Sequence, residues 1–134
     1  MKVLFICRAN VGRSQAALEL YRLTGGEGNS AGTKVDNPNT KISDIPLAAN
    51  IIQVMRSDYG IDMSSNIRTQ LDEEVAKPFD RLIVMAEADN IPEWLLRDTR
   101  TIFWDIKDPK LMDIEGTRKI VKEIESKIAD LKQF

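Results

Sequence analysis

The sequence holds no histidine and one cysteine, Cys7. The missing histidine removes Ser-His-Asp and Cys-His catalysis, phosphohistidine relays and nearly every zinc site built from His and Cys. Acid–base work therefore falls to Asp, Glu, Lys, Tyr or Cys. A lone cysteine forms no intramolecular disulfide, so no disulfide framework supports the fold. Long apolar runs are missing as well. None approaches the roughly 20 residues that span a bilayer, and the run at residues 3–6 is too short for a signal peptide. The expected location is the cytoplasm, with no membrane partner. Nor is there an excess of positive charge. At a net charge of −2, a broad nucleic-acid surface is not expected, since such surfaces are usually basic.

What is present fits one soluble domain over residues 1–134, with 43% hydrophobic and 30% charged residues. A chain of this length buries most of its apolar surface without staples. Residues 2–6 (KVLFI) read as a buried strand, and residues 13–23 as a helix with Ala16, Ala17, Leu20, Tyr21 and Leu23 at helical spacing. A turn at residues 24–29 and a possible strand at 29–33 follow, then a polar loop at 36–41. Ser43 or Asp44 is placed to cap a helix running to Tyr59, which Gly60 stops. A short helix is expected at 71–76, strands at 81–86 (RLIVMA) and 101–104, and a last helix from 113 to about 132. Its stripe of Ile114, Thr117, Val121, Ile124, Ile128 and Leu131 reads either as a heptad seam or as a face packed on a sheet, and the sheet is the commoner use. Alternation of short apolar strands with helices predicts an α/β three-layer sandwich, with a parallel sheet of about four strands and helices on both faces. In such sheets ligands sit beyond the C-terminal ends of the strands. Cys7 opens the first such turn.

Residues 7–14 (CRANVGRS) put one thiol, a tight loop and an arginine at the start of a helix. Backbone N–H groups in a strand-to-helix turn point inward and bind a tetrahedral oxyanion. The helix dipole and Arg13 favour the thiolate of Cys7 over the thiol. The Arg13 guanidinium is shaped to grip two oxyanion oxygens at once. Gly12 permits a crowded backbone geometry, and Asn10 tolerates the left-handed region. Ser14 is placed to donate a hydrogen bond to the Cys7 sulfur. An inert buried cysteine would account for Cys7 alone. It would not account for Arg13, a cation set against the helix dipole unless an anion binds there. The oxyanion-binding residues expected are thus Arg8, Ala9, Asn10, Val11, Gly12 and Ser14, with Cys7 as nucleophile and Arg13 as its catalytic partner.

The pattern Cys-x-x-x-x-x-Arg-Ser after the first strand resembles the signature of the low-molecular-weight protein tyrosine phosphatase family, which also includes thioredoxin-coupled arsenate reductases. The likeness extends along the chain through Ser30-Ala31-Gly32-Thr33 and the RLIVMA strand. A phosphocysteine mechanism also needs a proton donor for the leaving oxygen, and without histidine that is a carboxylic acid. In the family this acid is an Asp followed by Pro on a late loop. The one Asp-Pro here is Asp108-Pro109, with Asp105 as the alternative acid. The resemblance implies attack by Cys7 on phosphorus, then hydrolysis of the phosphocysteine with Asp108 as acid and base. It calls for no cofactor and no metal. The expected partners are a phosphorylated small molecule or phosphoprotein and inorganic phosphate or a similar oxyanion.

The chain departs from the family at three places. Gly12 stands where many members carry a second cysteine, which leaves Cys7 easier to oxidise irreversibly. No further cysteine exists to relay a disulfide. Lys110, Leu111 and Met112 follow the Asp-Pro where phosphatases carry tyrosines, so a preference for phosphotyrosine is weakened. Arg8, Lys107 and Lys110 either favour a more anionic substrate or form solvated surface. Three activities stay open: a phosphomonoesterase, an arsenate reductase using an external thiol, and an oxyanion-binding domain without turnover. Trp94 reads as an anchor between surface and core.

Overall fold

A computed structural model of the chain describes residues 1–131. Strand β1 (Lys2–Cys7) runs through the centre of a four-stranded parallel sheet with the order β2-β1-β3-β4, where β2 is Glu27–Gly32, β3 Arg81–Val84 and β4 Thr101–Phe103. Side chains of β1 alternate between two cores, as the pleat requires. Val3, Phe5 and Cys7 face one core, with helices α1 (Arg13–Leu23), α2 (Ala49–Tyr59) and α5 (Ile114–Leu131). Leu4 and Ile6 face the other, beside Ala76 of α3 (Glu73–Ala76) and Leu95 of α4 (Glu93–Arg97). The three-layer α/β sandwich with helices on both faces is therefore present. Phe5 meets Tyr21 of α1 edge-on at 5.5 Å between centroids, which seats α1 on the strand it follows.

The last helix settles one open point: Thr117, Val121, Ile124, Ile128 and Leu131 are buried in the domain's own core, so the stripe is no seam for a second helix. Its expected end at Lys132 lies outside the described residues. The helix expected from residue 43 or 44 starts later. Pro46 lacks an N–H, and two short 3-10 turns (Ile42–Asp44 and Pro46–Ala48) carry the chain to Ala49 before α2 begins. Gly60 ends α2 in the left-handed region at φ 70°, as expected. The second strand starts at Glu27, two residues earlier than its pattern predicts. There Glu27 and Gly28 pair with Lys2 and Val3, so the neighbour recruits them in spite of their composition. Asp72 caps α3 by accepting from the Val75 N–H at 2.8 Å. Helix α4, five residues long, is too short to leave a periodic signal and has no counterpart among the expected elements.

The strand order reverses direction between β1 and β3. The crevice at that switch point, beyond the C-terminal ends of both strands, is where a sheet of this type binds ligands.

Candidate active site

Strand β1 ends on Cys7 and α1 begins on Arg13, so residues 8–12 close the gap. No side chain caps α1 and no acid occupies its first turn. The loop has a one-sided polarity. Carbonyls of four consecutive residues accept from the protein: Cys7 from Thr33 N–H at 2.9 Å, Arg8 from Lys34 N–H at 2.8 Å, Ala9 from Arg68 and Asn10 from Gln15 Nε2 at 3.2 Å. The backbone N–H groups of Ala9, Asn10, Val11 and Gly12 donate to no acceptor among the described residues. The loop's carbonyls are bound by the protein, and the amides of residues 9–12 are left unclaimed, the backbone pattern of a nest.

Asn10 organises this loop from behind. It holds φ at 55° and is fully buried. Its Nδ2 donates to Ser14 Oγ at 2.7 Å and to Ser30 Oγ at 3.0 Å, while its Oδ1 accepts from the Thr69 N–H at 2.8 Å. Because Ser14 Oγ receives that bond, its own proton is free for the Cys7 sulfur, 3.0 Å away. Asn10 and Ser14, both expected to bind the oxyanion, line no part of the cleft; their side chains bond each other, Ser30, Thr69 and the Cys7 sulfur.

Arg13, 2% exposed, is fixed by partners far along the chain. Its Nη1 donates to the Met85 carbonyl, to the Ile106 carbonyl at 2.9 Å and to Glu87 Oε1 at 2.8 Å. These acceptors follow β3 and β4, so the sheet's C-terminal edge aims the guanidinium. Nη2 lies 3.6 Å from Asp108 Oδ2. Burial pushes the Glu87 carboxyl up, but the Arg13 hydrogen bond, a backbone bond and the charges of Arg13 and Arg8 outweigh it and hold Glu87 below the usual range.

Asp108 accepts from the Lys110 N–H at 3.0 Å through Oδ1, a turn that orients its carboxylate. A cleft of about 710 Å³ gathers the parts. Cys7, Arg8, Ala9, Val11, Gly12, Arg13 and Asp108 all line it, as do Lys34, Arg68 and Lys110. Its apolar side is aliphatic, from Ile45, Leu47 and Ile51, with no aromatic ring among the described residues. Asp105 and Lys107 do not line it. Gly12 is less constrained than its position in a tight loop predicts. Its φ is −106°, and an added Cβ would meet Ile51 Cδ1 at an ordinary 3.5 Å.

The chain's residues 2–133 match the family model for the low molecular weight phosphotyrosine protein phosphatase. The chain belongs to that family. A relative of this low-molecular-weight phosphatase-family chain is the glutaredoxin arsenate reductase of Synechocystis sp., 28% identical over 97% of this chain and 95% of that protein. Similar folds occur in the low molecular weight protein tyrosine phosphatase of T. tengcongensis (TM-score 0.83, 24% identity, 99% of this chain and 98% of that one) and in an arginine phosphatase from Geobacillus stearothermophilus (TM-score 0.83, 24% identity, 98% and 90%).

Sequence reasoning missed several groups that this family member brings to the site. Glu87 carried a signal, since it follows the clearest strand at the edge where sites form. Lys34 and Arg68 carried none. Both sit in polar stretches, and only the fold brings them to the cleft. Trp94 packs against the second core and lines an adjoining depression with Ile91 and Pro92, which Cys7 does not line. Among the described residues no cluster of His, Cys, Asp and Glu is suited to a metal, and no helix is long and apolar enough to cross a membrane.

Proposed function

We propose that this chain is a cysteine-dependent phosphomonoesterase working through a phosphocysteine. The observation that carries the reading is the loop at residues 8–12, with its unclaimed amides beside a thiol that a serine hydroxyl can solvate. In the first step the Cys7 sulfur forms a bond to phosphorus as the ester P–O bond breaks, and Asp108 gives its proton to the leaving oxygen. In the second, Asp108 as carboxylate takes a proton from water. The water oxygen bonds to phosphorus, the S–P bond breaks, and the thiolate leaves toward the Ser14 hydroxyl. Arg13 and the loop amides stabilise the equatorial oxygens in both steps.

Charge supports the same reading. Arg8, Lys34 and Lys110 line the cleft and form no salt bridge among the described residues. A thiolate and a phosphate dianion would together neutralise them. The aliphatic side of the cleft offers van der Waals contact to a leaving group and no ring to stack on, which supports organic phosphates in general over phosphotyrosine alone.

The test is hydrolysis of 4-nitrophenyl phosphate. Turnover should fall about 10³-fold or more in Cys7→Ser and about 10²-fold in Asp108→Asn. Unchanged turnover in Cys7→Ser would overturn the reading. A parallel assay with arsenate, glutathione and a glutaredoxin separates it from thiol-coupled reduction: arsenate-dependent oxidation of the thiol without phosphate release would assign the site to that chemistry instead.

A further inference from the structure

Arg68 is among the largest fully buried side chains, and it bonds the loop at residues 8–12 through the Ala9 carbonyl. Burying a guanidinium is strongly unfavourable unless its hydrogen bonds and charge are met. Its carboxylate partner, Asp36, is 81% exposed, so the ion pair alone is a poor return for that burial. The geometry of its other bonds is more telling. Nε and Nη2 both donate to the Ala9 carbonyl, at 3.2 and 3.0 Å. Nη1 donates to the Asp36 carbonyl at 2.9 Å and Nη2 to Asp36 Oδ1 at 2.8 Å. The next residue, Thr69, donates its N–H to the side chain of Asn10 at 2.8 Å. Residues 68 and 69 therefore grip two consecutive loop residues, 9 and 10.

We propose that Arg68 is a positioning residue for the oxyanion site, a clamp that sets the orientation of the Ala9–Asn10 peptide. In a trans peptide the C=O and N–H point in opposite directions. Fixing the Ala9 carbonyl on a buried cation therefore fixes the direction of the Asn10 N–H and raises its partial positive charge. The carbonyls on either side of Ala9 are held by neutral donors, so among the described residues Ala9 is where a full charge acts on the loop's backbone. The same guanidinium ties the 36–41 loop to the site through Asp36, and its hydrogen bond, first among the causes, holds the Asp36 carboxyl below the usual range. This inference rests on the proposed reading of residues 8–12 as an oxyanion cradle.

The experiment measures inorganic phosphate binding by titration calorimetry, with kcat and KM for 4-nitrophenyl phosphate, on the full chain and on Arg68→Met and Arg68→Lys. Phosphate should bind about tenfold more weakly to Arg68→Met, and kcat should fall about 100-fold, as misplacing a preorganised group does. Arg68→Lys keeps the charge and loses the fork, so its phosphate affinity should fall between the two. A purely structural Arg68 would lower Tm and leave the phosphate affinity and kcat of the folded protein at wild-type values; that result overturns the clamp. If Arg68→Met does not fold, Arg68→Lys decides by the same criterion. A wild type that binds phosphate but turns over nothing defeats the phosphatase reading alone, because the calorimetric comparison still judges the clamp.

Discussion

Asn10 joins backbone geometry to chemistry in a single residue. Its left-handed φ of 55° is tolerated by a short amide side chain, and that amide meets Ser14, Ser30 and Thr69 at once. Asn10→Ala loses the tolerance and leaves buried donors and acceptors unpaired. It should cost about 3 kcal/mol, measured by urea unfolding. It should also slow phosphate-ester turnover, because the Ser14 hydroxyl is then free to turn away from the Cys7 sulfur. At this scale the sequence is legible wherever a role depends on neighbours in the chain. Cys7, Asn10, Arg13 and Ser14 lie within eight positions, and their types are enough to read a thiol site. It is silent where the role depends on remote partners. Nothing near Arg13 announces the Met85 and Ile106 carbonyls, 72 and 93 positions away. Nothing near Arg68 announces Ala9.

Among the elements, β2 does more than fill the sheet. Gly32, its last residue, lies so close to the loop that an added Cβ would meet the Arg8 carbonyl oxygen at 2.7 Å and the Asn10 nitrogen at 2.8 Å. Both are backbone atoms and cannot swing aside. Gly32→Ala should therefore displace the loop at residues 8–12 and, on the proposed reading, weaken phosphate binding and turnover by about tenfold or more, with circular dichroism still showing a folded chain. A wild-type affinity for phosphate would refute the close approach. The elements themselves are largely readable. The β1–loop–α1 unit follows from its apolar run, its polar turn and the helical spacing after it. The start of α2 misleads because Ser43 and Asp44 look like caps while Pro46 interrupts the helix behind them. Strand β2 reads as starting late because Glu27 and Gly28 have no strand propensity of their own and are held by pairing.

For the molecule as a whole, the absence of histidine shapes its response to pH. Several carboxylates are held below their ordinary values by arginine: Asp36 by Arg68, Asp58 by Arg118 and Asp98 by Arg100. Asp62, bonded first by Ser64 and then by Arg56, is lowered to about 2. A depressed carboxylate contributes stability that is present above its unfolded value and lost as pH falls through its folded one. Tyr59 works in the other direction. Burial and Glu125 raise it to about 12, so its contribution is complete below the ordinary tyrosine value of 10.0 and is lost as pH rises toward 12. Tm should accordingly fall between about pH 4 and pH 2, and show no step near pH 6.5, where an imidazole would titrate. A thermal scan across pH checks this, and a distinct step near 6.5 would contradict it.

The ties that shape residues 7–10 reach into segments after β1, β2 and α2, and those that hold Arg13 reach past β3 and β4, so the candidate site is the product of nearly the whole chain. A nascent or partly unfolded chain carries the same thiol without its cradle, guanidinium or serine partner. On the proposed reading, its sulfur becomes a committed nucleophile only when the last of these segments docks. On that reading, nucleophilic reactivity at Cys7 marks completed assembly, a stage later than the appearance of the strand that carries it.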